Sequence, residues 1–103
     1  MNYNITFSTY RNNSGTELSQ TEVVEYLKDI SQSESIEGWS LRGMLGYYAN
    51  TVENSYELSL FDISKKQASK IAKRIAVDNG QESVILAENT TPVEFIMNSQ
   101  VTV

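Results

Sequence analysis

Hydroxyl, amide and carboxylate side chains crowd into three stretches of the chain: Ser8-Thr9-Tyr10-Arg11, the run from Gly46-Tyr47-Tyr48 to Glu53-Asn54-Ser55, and Gly80-Gln81-Glu82-Ser83. Such groups can hydrogen-bond, carry negative charge and orient a substrate, and a tyrosine ring can stack on a flat base. The 103-residue sequence contains no cysteine and no histidine. Thiolate nucleophiles, disulfides, histidine bases and the usual zinc sites are therefore excluded by inventory. What remains is chemistry by carboxylates, hydroxyls, amides or lysine.

The other charged residues point to no site. Asp62, Asp78, Glu82, Glu88 and Glu94 are scattered without a ligand spacing, so no metal is expected, and no cofactor is called for. Lys65, Lys66, Lys70, Lys73 and Arg74 spread over the solvent side of one amphipathic segment. A formal charge of −5 opposes binding to a nucleic-acid backbone. The opening Met1-Asn2-Tyr3-Asn4 lacks a signal-peptide pattern, and no apolar run is long enough for a bilayer, so the expectation is a cytoplasmic protein that does not enter membranes.

The elements that must position these groups follow from periodicity. Tyr3, Ile5 and Phe7 alternate with polar residues, a strand with one buried face. Ser19-Gln20-Thr21-Glu22 has capping-box spacing, and Val23, Leu27 and Ile30 mark one face of the helix it opens. Trp39, Leu41, Gly43, Leu45 and Tyr47 alternate, as do Tyr56, Leu58 and Leu60 after a break at residues 50–54, which predicts a long hairpin. A second box, Ser64 to Gln67, opens a helix with Ala68, Ile71, Ala72, Ile75 and Ala76 on one stripe. Asn79-Gly80 ends it in a left-handed residue, and Val84-Ile85-Leu86 predicts a short buried strand.

The order β-α-β-β-α-β with right-handed crossovers gives an α+β, ferredoxin-like domain: a four-stranded antiparallel sheet with two helices on one face. The whole chain reads as a single domain, with its core over residues 3–88 and an edge strand or tail over 89–103 that carries Pro92, Val93, Phe95 and Met97. In this topology the first and last strands pair, so the exit of the first strand and the last strand are neighbours. The second sheet face, expected to carry Tyr3, Tyr56 and either Trp39 or Tyr47, then calls for a second subunit.

Taken together, Ser8-x-Tyr10-Arg11, Leu45-Gly46-x-Tyr48 followed by Glu53-x-Ser55-x-x-Leu58, Lys66-Gln67-Ala68 with Ile71-Ala72, and Gln81-x-x-Val84-Ile85-Leu86 resemble the phage-encoded S-adenosylmethionine lyases. The likeness spans about residues 5 to 88; the hairpin is shorter than in that family, and the C-terminal extension is absent. The resemblance implies a PII-like fold, a homotrimer with sites between subunits, and cleavage of S-adenosylmethionine to methylthioadenosine and homoserine lactone. It implies depletion of a host methyl donor as an anti-restriction measure. It also assigns Glu53 as the essential carboxylate, Gln81 and Tyr48 as substrate-binding residues, and Ser8, Tyr10 and Ser55 as further contacts.

Each assignment has a plainer counterpart. Glu53 is alternatively a solvated turn residue, and Gln81 a side chain that satisfies backbone groups where a helix ends. Tyr47 and Tyr48 point to opposite faces of a strand, so at most one belongs to a core. A different function class is open as well: a non-catalytic interaction or inhibitor protein, or a nucleotide-binding module, of the same fold.

Overall fold

The structure, a computed structural model, describes residues 1–48 and 50–90, and of Tyr48 the backbone only. Pro92, Val93, Phe95 and Met97, and with them the expected edge strand or tail, lie outside the described residues. The elements are β1 (Asn2–Ser8), β2 (Tyr10–Arg11), β3 (Thr16–Glu17), α1 (Gln20–Glu34), β4 (Gly38–Tyr48), β5 (Thr51–Phe61), α2 (Lys65–Asp78) and β6 (Ile85–Asn89). The sheet order is β4-β5-β1-β6 with every pair antiparallel, the ferredoxin-like arrangement that the element order predicts. No helix among the described residues is long and apolar enough to cross a membrane.

Both helices begin on a serine cap. Ser19 accepts from the Glu22 N–H at 3.2 Å while its own N–H donates to the Glu22 carboxylate at 3.3 Å, so the capping box is complete. Ser64 accepts from the Gln67 N–H at 3.1 Å, but the return arm is missing. The Gln67 amide donates instead to the Glu34 carbonyl at 2.7 Å, satisfying a C-terminal carbonyl of α1 and joining the two helices. Gly80, with φ of 63°, ends α2 as expected.

The core lies between the sheet and the helices. Tyr3, Ile5 and Phe7 from β1 and Leu58 and Leu60 from β5 meet Val23, Leu27 and Ile30 from α1 and Ala68, Ile71, Ala72 and Ile75 from α2. Alternation along β1 and β5 sends these side chains to one face, which is why a slip of one residue would empty the core.

Four features differ from the sequence expectation. Tyr3, Trp39 and Tyr56 lie on the helix side, where the Tyr56 ring meets Phe7 at 5.8 Å between centroids and its hydroxyl donates to the Leu18 carbonyl. The register leaves Asn4, Thr6, Ser8, Ser40, Ser55 and Ser59 on the open face beside Met44 and Ile85, with Arg42 paired to Glu57 at 3.0 Å. A face of that polarity can stay in water, so it does not by itself call for a second subunit.

The hairpin does not break at 50–54. Asn50 takes a left-handed conformation, φ 65°, which closes a tight turn and lets β5 run from Thr51. The last strand starts at Ile85 and lies at the edge of the described sheet, with Ile85 65% exposed; Val84 and Leu86 reach the core, so that strand is half-covered and not buried. Finally, β2 and β3 form a small ribbon over residues 10–17 whose two-residue strands are too short to leave a periodic signal.

Candidate functional site

The site is built where β1 ends. Ser8 is held on both backbone groups by Gln81: the amide oxygen accepts the Ser8 N–H at 3.2 Å and the amide nitrogen donates to the Ser8 carbonyl at 2.8 Å. Gln81 is in reach because the Gly80 turn brings the chain back beside β1. The Ser8 hydroxyl accepts the Tyr10 N–H at 3.1 Å, and the Thr9 N–H donates to the Asn54 carbonyl at 3.1 Å, so the chain turns into the ribbon without losing contact with β5.

Directly across from Ser8 stands Ser55, and alternation puts Glu53, two residues earlier, on the same open face. These three side chains line a cleft of about 610 Å³ together with Met44, Ser83 and Ile85. Glu53 thus sits within β5, opposite Gly46, and not in a turn.

A second cleft, about 490 Å³, shares Ser8 and Glu53 with the first and opens toward the ribbon, where Tyr10, Glu17 and Val52 join its wall. Thr9 is buried, and its hydroxyl donates to the Glu17 carboxylate. Neither Glu53 nor Glu17 forms an ion pair with a lysine or arginine among the described residues, whereas Glu22, Glu25, Glu34, Glu57 and Asp78 each do. Uncancelled carboxylates at a cleft favour a cationic ligand.

Of the residues selected from the sequence, Ser8, Glu53 and Ser55 line the first cleft, and Ser8, Tyr10 and Glu53 the second. Gln81 lines neither cleft, and its amide is engaged with the Ser8 backbone. Tyr48 closes the hairpin by pairing with Thr51, and its side chain lies outside what is described. Glu17 was not among the residues singled out, because nothing in its local pattern separates it from any other exposed acid ahead of a helix.

A larger cleft, about 690 Å³, lies between the ribbon and the helices, lined by Arg11, Leu18, Glu22, Tyr26 and Asp78. Its charges are already matched: Arg11 meets Glu22 at 3.0 Å, and Asp78 accepts from Tyr26 at 2.6 Å with Arg74 at 3.6 Å. The Ser19 backbone and hydroxyl bonds hold the Glu22 carboxyl below its ordinary range, and burial with the Asp78 bond pushes the Tyr26 phenol well up. This cleft is a structural joint. Among the described residues no three acidic, cysteine or histidine side chains stand together as a metal site.

No protein-family model and no curated protein matches the chain. Among solved structures the fold is similar to that of a phage SAM lyase in complex with S-methyl-5'-thioadenosine, at 18% sequence identity and a TM-score of 0.58, over 82% of this chain and 76% of that one. The fold is thus the one that the sequence motifs implied.

Proposed function

We propose that the chain is an S-adenosylmethionine lyase. The observation that supports this reading best is the meeting on one cleft of Ser8, Ser55 and Glu53, which has no ion-pair partner among the described residues, in a fold similar to that of a phage SAM lyase in complex with S-methyl-5'-thioadenosine. Ser8, Glu53 and Ser55, selected by the motif resemblance from two strands, line that one cleft.

In the proposed reaction the substrate's own carboxylate oxygen attacks its γ-carbon, and the carbon–sulfur bond breaks with its electron pair going to sulfur. The sulfonium becomes the neutral thioether of methylthioadenosine, and the amino-acid part leaves as homoserine lactone. Atoms and charge balance without water or a protein nucleophile. The protein's task is to fold the substrate into a near-attack conformer and to place charge suitably around a sulfonium that becomes neutral as the bond breaks. Glu53 orients the substrate by charge and hydrogen bonding, while the hydroxyls of Ser8, Ser55 and Tyr10 fix polar groups; Tyr48 is assigned to the adenine by resemblance. Gln81 acts through Ser8, holding the floor of the cleft in register.

The same reading makes the protein a homotrimer with sites completed between subunits, working in the host cytoplasm to lower a methyl donor and blunt restriction. The alternative, a binding or inhibitor protein without turnover, is favoured by one feature. Leu45, Tyr47 and Val52 are 73%, 70% and 62% exposed on the hairpin beyond the helices, a surface suited to a protein partner.

Incubation of the purified protein with S-adenosylmethionine, with products followed by chromatography and mass spectrometry, separates the two. Multiple turnovers to methylthioadenosine and homoserine lactone, lost in a folded Glu53→Gln variant, are expected. Intact substrate after prolonged incubation with folded protein would overturn the lyase reading in favour of the binding protein.

A further inference from the structure

Glu17 enters the ribbon-side cleft from the wall opposite β5, and three observations give it a task. Its carboxylate is tethered from beneath by the hydroxyl of Thr9, which is only 7% exposed, so its position is set by a buried residue and not by solvent. No cation neutralises it among the described residues. It also shares the cleft with Ser8 and Glu53, which belong to the proposed site.

Among the described residues, the wall facing Glu17 is an open strand edge. Asn54 directs its carbonyl toward β1, bonding the Thr9 N–H at 3.1 Å. Alternate residues of an antiparallel strand turn their backbone groups to the same side, so Val52 directs its N–H and C=O past the end of β1 and into the cleft. One donor, one acceptor and a fixed carboxylate form a complement to an α-amino acid, whose carboxylate needs a donor and whose ammonium needs acceptors.

We propose that Glu17 binds the α-ammonium group of the substrate, holding its amino-acid end against the edge of β5 at Val52. This rests on the lyase reading for the identity of the substrate. It adds a residue that the sequence motifs did not select, and it divides the work between two carboxylates. Glu17 fixes the end that supplies the attacking oxygen, and Glu53 serves the reacting centre from the open face.

The test is calorimetric binding of three ligands to wild type, Glu17→Gln and Thr9→Val. S-adenosylmethionine carries both the ammonium and the sulfonium, S-adenosylhomocysteine the ammonium alone, and methylthioadenosine neither. Loss of one charge-assisted bond corresponds to about a tenfold weakening. Glu17→Gln is expected to weaken the first two ligands by that factor and leave methylthioadenosine unchanged, with Thr9→Val weakening the same two by less. Equal weakening of all three would make Glu17 a structural residue, and weakening of S-adenosylmethionine alone would move its contact to the sulfonium; either result overturns the assignment. Wild-type protein that binds S-adenosylhomocysteine but leaves S-adenosylmethionine intact would overturn the lyase reading while the Glu17→Gln comparison still decides this one.

Discussion

Gly80 stands against Asn13: a Cβ built on Gly80 would lie 2.8 Å from both the Asn13 nitrogen and its Cβ. The contact fastens the ribbon to the end of α2, and the Asn13 amide adds a bond to the Asp78 carbonyl at 2.8 Å. Any side chain at residue 80 meets two costs at once, the left-handed backbone and this collision. Gly80→Ala should therefore lose about 2 kcal/mol or more, beyond the roughly 1–2 kcal/mol of left-handed strain alone. Gly80→Val should lose more still, and urea denaturation of the two variants measures both. Equal stability of wild type and Gly80→Ala would refute the close contact.

Gln81→Ala removes the bonds to Ser8 and should cost about 1–3 kcal/mol. Gln81→Glu tells more, because a carboxylate can accept the Ser8 N–H but cannot donate to the Ser8 carbonyl. The new carboxyl then prefers its protonated form in the folded state, so its folded pKa rises above the unfolded value. Stability relative to wild type is retained at low pH and lost as pH rises through that folded value. A Gln81→Glu stability difference that does not vary with pH would place the amide elsewhere.

The Tyr26 phenol donates to Asp78 at 2.6 Å, and burial together with this bond raises its pKa. The neutral form is the one that the fold prefers. Its contribution is complete below the unfolded value near pH ~10 and declines as pH rises above it, where the unfolded chain ionises first. Tyr26→Phe should cost about 1 kcal/mol at neutral pH and should lack this alkaline loss. Thermal melts of both proteins across the alkaline range provide the comparison.

Ser19→Ala should cost about 1 kcal/mol. It should also take the hydroxyl bond from Glu22, while the backbone N–H of residue 19, the larger cause of the lowered Glu22 carboxyl, survives the substitution. Because that folded pKa is depressed, the stability it contributes is present above the unfolded value and lost as pH falls. Acid unfolding of Ser19→Ala should therefore show a smaller dependence on pH than wild type.

The fold was legible wherever burial imposes a period. Tyr3, Ile5 and Phe7 needed one buried face, and Ala68, Ile71, Ala72 and Ile75 needed another, and both stripes meet in the core. The hairpin turn was misplaced because Thr51 to Asn54 are exposed on both faces, leaving composition as the guide, and composition reads them as loop. The open face was misassigned because Tyr3 and Tyr56 could equally have belonged to either side until the register was known. Of the site, Ser8, Glu53 and Ser55 converge through strand pairing, which topology predicts. Glu17 arrives through a ribbon of two-residue strands, whose geometry comes from turn bonds and the Arg11–Glu22 pair and not from any hydrophobic repeat.

The distal hairpin has a consequence for how such a chain can change over time. The buried side chains of β5 are Leu58 and Leu60, and residues 51–54, with Leu45 and Tyr47 opposite, add nothing to the packed interior. Substitutions there escape the large destabilisation that follows from core mutation. The segment carrying Glu53 is therefore free to drift in length and chemistry while the folding unit stays intact. Selection can act on ligand choice and on foldability separately, and a library randomised over the hairpin tip would return mostly folded proteins with altered recognition.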